Sequence, residues 1–171
     1  MTDIDWRKVY KLSADEFSED PNKHAEPELI YSLGKLRKLL RTIMRPSPVK
    51  GALARFSGKT TTQHYAVGRK STGSDQFIEG IPFEIYSKIL FSRLFTGVGI
   101  YLDTKGPDGL PWVMFHLDIR KRDFPFIWIA KKEYDPRKKE FRTFYKYPQY
   151  DSKYWSLLND DRIYKNKLFG S

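Results

Sequence analysis

The sequence predicts an α+β fold, and three observations carry it. Two segments repeat their apolar residues every three or four positions, four others run apolar or alternate, and dense turn formers separate the strand-like runs from one another. The length of 171 residues fits one globular core with extensions: an arm over 1–26, a core over 27–147 and an aromatic tail over 148–171.

The first 26 residues are polar and of mixed charge, with isolated anchors at Trp6, Tyr10, Leu12 and Phe17, and read as an arm or short irregular subdomain. After Pro27, the residues Leu29, Leu33, Leu36, Leu40 and Ile43 form one apolar stripe of a helix. Arg41 and Arg45 complement its C-terminal dipole, and Pro46 and Pro48 end it. Residues 50–80 lack helical period and are rich in Gly, Ser and Thr, the composition of turns and short strands that tend to carry chemistry. Pro82 opens a second helix on Phe83, Tyr86, Leu90 and Leu94, widened by Ile85 and Ile89 and closed by Gly97.

Val98 to Asp103 reads as a strand, and a turn-rich Asp103–Gly109 joins it to a second strand over Trp112 to Ile119. Phe124 to Ala130 and Phe141 to Tyr147 are two further strands, separated by the charged stretch Lys131 to Glu140. In the Trp112–Ile119 strand, alternation puts His116 and Asp118 on one face and Phe115, Leu117 and Ile119 on the other.

Composition narrows the chemistry. With no cysteine, disulfides, thiolate–zinc sites, iron–sulfur clusters and thiol nucleophiles are excluded, so any metal must use histidine and carboxylate. The start Met1-Thr-Asp-Ile-Asp has no signal-peptide pattern and no run reaches a membrane-spanning length, so a soluble protein made in the cytosol is expected. A formal charge of +10 favours an anionic partner: nucleic acid, an anionic wall polymer or an acidic protein surface. Two imidazoles and a carboxylate are a ligand set that catalytic zinc uses, and His64, Asp75 and His116 could supply it.

The order Ala54-Arg55-Phe56-Ser57-Gly58, Thr62-Gln63-His64, Ser74-Asp75, a helix, Gly97-Val98-Gly99-Ile100-Tyr101 and His116-Leu117-Asp118-Ile119-Arg120 resembles the M15 zinc peptidases. These are D-alanyl-D-alanine carboxypeptidases and L-alanyl-D-glutamate endopeptidases, and the likeness is to their phage-encoded members over roughly residues 28 to 122. The resemblance implies a small antiparallel sheet flanked by helices, Zn²⁺ held by His64, Asp75 and His116, and Arg55 contacting a substrate carboxylate or orienting the site. Many members carry a Glu three residues before the last His as general base; here that position is Val113, and the loop between His64 and Asp75 is enlarged. Asp118 is then the natural candidate for the base, or it orients His116, with Glu79 in reserve. Arg55, Arg69 and Arg120 are candidate carboxylate clamps.

The leading expectation is therefore a zinc peptidase of phage type that cleaves an amide bond in peptidoglycan stem peptides by metal-activated water, delivered in a virion or released on lysis. The alternative is a virion structural or adaptor protein that keeps this fold with little or no turnover. Nucleic-acid binding through the interleaved basic and aromatic residues of 131–146 ranks third and is disfavoured, because a charged turn feeding a packed strand explains them. The tail of 148–171, with Tyr154, Trp155, Leu158 and Phe169 among its apolar residues, needs a surface to cover and is expected to be an attachment segment, seated on a neighbouring virion subunit in preference to the protein's own core.

Overall fold

The computed structural model describes residues 3–59, 61–105 and 111–159. It is a mixed α+β structure built on a six-stranded sheet in the order β1-β2-β4-β3-β5-β6.

The N-terminal residues belong to the core. Two 3-10 turns, Trp6–Lys8 and Ala14–Glu16, are capped by Asp5 and Ser13, and between and beyond them Val9, Leu12 and Phe17 enter the main apolar cluster. A first short helix, α1 (Pro21–His24), leads to α2 (Pro27–Leu40), whose Pro27 occupies the first turn where a missing N–H costs nothing. Leu29, Ile30, Leu33, Leu36 and Leu40 form its buried face, and Arg37, one turn beyond Leu33, pairs with Glu16 at 2.6 Å.

This helix stops sooner than the apolar spacing suggests. Arg41 adopts the left-handed conformation (φ 54°), Ile43 is 43% exposed, and Met44–Pro46 forms strand β1, with Met44 taking the buried place. The sheet offers residues 44–46 hydrogen-bonded partners on β2 that a further helical turn lacks, and Pro46 is tolerated because β1 is an edge strand.

Strand β2 (Gly73–Ile78) follows the long irregular segment, and α3 (Pro82–Ser92) follows β2. The phase of α3 corrects the sequence reading: Pro82, Ile85, Tyr86 and Ile89 are buried, whereas Phe83 and Leu90 are 42% and 37% exposed. Apolar residues flank the stripe on both sides, so packing rather than periodicity chooses its centre. Gly97 does not cap this helix, which ends at Arg93 in the left-handed region; it opens β3.

Strands β3 (Gly97–Lys105) and β4 (Pro111–Asp118) pair antiparallel, with the connecting 106–110 outside the described residues. Strand β5 (Phe126–Asp135) then lies parallel to β3, so the sheet is mixed and not wholly antiparallel. The cause is occupancy: β2 already holds the other edge of β4, so the chain leaving Asp118 passes the start of β3 and pairs with its free edge. Strand β6 (Glu140–Lys146) closes the hairpin; the charged residues 131–135 extend β5, supported by ion pairs such as Lys146–Glu133 at 3.0 Å.

One sheet face, carrying Val98, Ile100, Phe115, Leu117 and Ile129, packs into the core with α2 and α3. The final described element, a 3-10 helix over Ser152–Asn159, buries Leu158 completely and stacks Trp155 on Tyr86 of α3 at 5.1 Å. Residues 160–171 of the expected tail lie outside the described residues. No helix among the described residues is long and apolar enough to cross a membrane.

Candidate metal centre

The opposite sheet face builds the site through its register. Asp75 of β2 is the direct cross-strand partner of His116 of β4, which faces Gly99 of β3, which in turn faces Trp128 of β5. A second row holds Gly73, Asp118, Gly97 and Phe126. The two β3 glycines are needed for close approach. A Cβ on Gly99 would lie 2.4 Å from the Trp128 ring, and one on Gly97 would fall on the Asp118 carboxylate. Without side chains at these points, the Trp128 indole reaches across to His116 with ring centroids 5.3 Å apart.

His64 comes from the irregular segment, which hydrogen bonds hold in place. Arg55 N donates to His64 O at 2.5 Å, Ala66 N donates to Arg55 O at 2.8 Å, and Thr72 N donates to Gln63 O at 3.0 Å. Arg69 ties the same loop through Tyr65 O and Thr62 O. Ser71 Oγ donates to Gln63 O, and Ser71 is itself paired with His24 and Glu26, so the N-terminal segment indirectly positions His64.

The three sequence candidates converge. His64 Nε2 is 2.9 Å from His116 Nδ1, Asp75 Oδ1 is 2.9 Å from His116 Nδ1 and 3.4 Å from His64 Nε2, and all three residues are buried. Ligand bonds of about 2.0 to 2.2 Å at tetrahedral angles place donor atoms roughly 3.3 to 3.6 Å apart, so a shift of a few tenths of an ångström would fit this triad to a metal ion. The donor set, two imidazoles and a carboxylate with no thiolate, suits zinc and its neighbours.

Electrostatics match that use. Burial alone would raise the Asp75 carboxyl, but hydrogen bonds from His116 and His64 outweigh it and hold the group well below the usual carboxylate range. Burial acts to lower His116, yet the carboxylates of Asp118 and Asp75 more than reverse this and push it up to about 8. Asp118 is fully buried; desolvation opposes its charge, and the His116 contact with the charges of Arg122 and Arg120 overcomes that, lowering its value.

Asp118 borders the cluster from behind. Its Oδ2 faces His116 Nε2 at 3.7 Å, the ring nitrogen turned away from His64 and Asp75, while Arg122 lies 3.4 Å and Arg120 3.7 Å from its oxygens. Arg120 also abuts the Gln63 amide, whose oxygen accepts from the guanidinium. Arg55 is exposed, with its guanidinium bonded to Gly51 O, and shapes the site through its backbone. Val113 points into the core. Glu79 lies just past the end of β2, four residues beyond Asp75 and roughly 13 Å along extended chain, too far to serve the triad. The third histidine, His24, packs against Phe56 instead.

Sequence reasoning missed Trp128 and Arg122. Arg122 lies past the strand end, where alternation no longer says where a side chain goes, and Trp128 enters only through the β3–β5 pairing.

No protein-family model, curated protein or solved structure matches the chain.

Proposed function

We propose that this chain is a metal-dependent amide hydrolase resembling the phage-type M15 peptidases, with zinc held by His64, Asp75 and His116 and peptidoglycan stem peptides as substrate. The observation that supports it is the buried convergence of those three donors from separate parts of the chain. Zinc would supply Lewis acidity toward an amide carbonyl and increase the acidity of water.

The chain's own residues would do the rest. Asp118, facing His116 Nε2, would fix the ring so that Nδ1 is left unprotonated toward the metal position, which makes it a positioning residue rather than the base. Arg120, partly exposed beside the triad's rear carboxylate, is the arginine best placed to hold a substrate carboxylate. Trp128 shields one side of His116 from water. Carriage in a virion or release at lysis would bring such an enzyme to the wall.

The second reading, a virion structural or adaptor protein with a metal-stabilised fold, is favoured by a different observation. Among the described residues, no further carboxylate joins the triad, and Asp118 is committed to His116 and two arginines.

The deciding experiment is elemental analysis of protein purified without added metal, together with an assay for amino groups released from purified peptidoglycan. Stoichiometric zinc with hydrolysis that chelation abolishes supports the peptidase. Zinc without hydrolysis supports the adaptor, and the absence of both overturns the metal-site reading.

A further inference from the structure

On the β5–β6 side of the triad, a cavity of about 290 Å³ opens between Tyr101, Phe126, Trp128, Tyr145 and Tyr147, with Arg120 and Arg122 also in its lining. Its rings are set at angles to one another: Phe126 is 6.0 Å from Trp128 and 5.7 Å from Tyr147, tilted by 41° and 43°. We propose that this cleft is a carbohydrate subsite that seats a sugar ring of a glycan strand beside the His64–Asp75–His116 triad.

The lining selects the ligand. A pyranose presents a flat C–H face and a rim of hydroxyls, and the cleft presents flat aromatic faces with polar tips, namely three tyrosine hydroxyls, an indole N–H and guanidinium groups. Tyr101 stays a neutral phenol, because burial pushes its hydroxyl up to about 12, and it accepts from Trp128 Nε1 at 3.4 Å.

Charge placement argues against a nucleic acid. Strand pairing puts Trp128, Tyr145, Tyr134 and Phe141 on the triad's face, but puts Lys131, Arg142 and Lys146 on the other. There Lys146 pairs with Glu133 at 3.0 Å and Arg142 with Asp135 at 3.5 Å. Of the charged strand residues of the hairpin, only Lys132 shares the ring face. Base stacking with phosphate neutralisation needs rings and free cations on one face. Within the cleft, two guanidiniums share the one carboxylate of Asp118, leaving a single net positive charge.

The choice of a glycan carrying a stem peptide rests on the function proposed above, but sugar binding itself requires neither metal nor turnover. The test therefore uses the full chain stripped of metal by a chelator, titrated with a β-1,4-linked N-acetylglucosamine tetramer and, in parallel, with a single-stranded oligonucleotide. Binding is followed by calorimetry and by tryptophan emission. The expected result is saturable binding of the tetramer with a shift in emission, weakened about tenfold by Tyr147→Ala as loss of one stacking ring predicts, and retained by Tyr147→Phe. Tyr145→Ala, at a half-exposed position, is the second variant and keeps the test valid if the first fails to fold.

No tetramer binding by folded protein overturns the subsite. So does binding that neither alanine variant weakens, and so does a preference for the oligonucleotide that falls steeply with salt. Failure here leaves the metal and hydrolysis assays untouched. Equally, a chain without zinc or hydrolysis that still binds the tetramer retains the subsite.

Discussion

His116 turns its Nε2 toward Asp118 Oδ2, 3.7 Å away, and by doing so aims its Nδ1 at Asp75 and His64. One fully buried carboxylate thus lies behind the ring, on the side where outer partners of metal-bound histidines generally sit.

Replacing Asp118 by Asn keeps the shape and removes the charge that holds the ring. Metal affinity is expected to fall by about 10- to 100-fold, measured by competition with a chromophoric chelator. An unchanged affinity would show that Asp118 serves Arg120 and Arg122 alone.

Metal binding should release a proton. With His116 pushed up to about 8 in the metal-free protein, the ring is mostly charged at pH 7, and a ligand must be neutral. Affinity is expected to rise as pH climbs from about 6 toward 8 and to level off above that. Calorimetry in buffers of different ionisation enthalpy measures the proton count, and a count of zero at pH 7 would contradict the raised value.

Gly99→Ala puts a methyl group 2.4 Å from the Trp128 ring. The expected cost is about 1 to 3 kcal/mol in a urea melt, as for other overpacked sites, with altered tryptophan emission as the indole leaves His116. A neutral substitution would mean that the indole is not held over the strand.

Leu158→Ala tests whether the chain beyond Pro148 belongs to the core. Leu158 is fully buried, so a loss of roughly 2 to 5 kcal/mol is expected in thermal or denaturant unfolding. A change below about 0.5 kcal/mol would return this segment to a role outside the fold.

Some features were set by the chain alone, because they depend on neighbours a few residues apart. Proline at the first turn marks the starts of α2 and α3, and alternation in β4 separates Phe115 and Leu117 from His116 and Asp118. That any metal ligands would be histidine and carboxylate was likewise legible, since the chain lacks cysteine, whereas singling out His64, Asp75 and His116 rested on the motif resemblance. Other features rest on partners far apart in sequence. Local period gives the face on which a side chain stands, but not the residue that stands opposite. Pairing Asp75 with His116, laying β5 parallel to β3, bringing Trp128 over Gly99 and choosing the buried face of α3 all followed from register and competition for sheet edges. The N-terminal residues Val9, Leu12 and Phe17 are the same case: too sparse to form a local pattern, they became core only because the rest of the fold offered an apolar cluster to join.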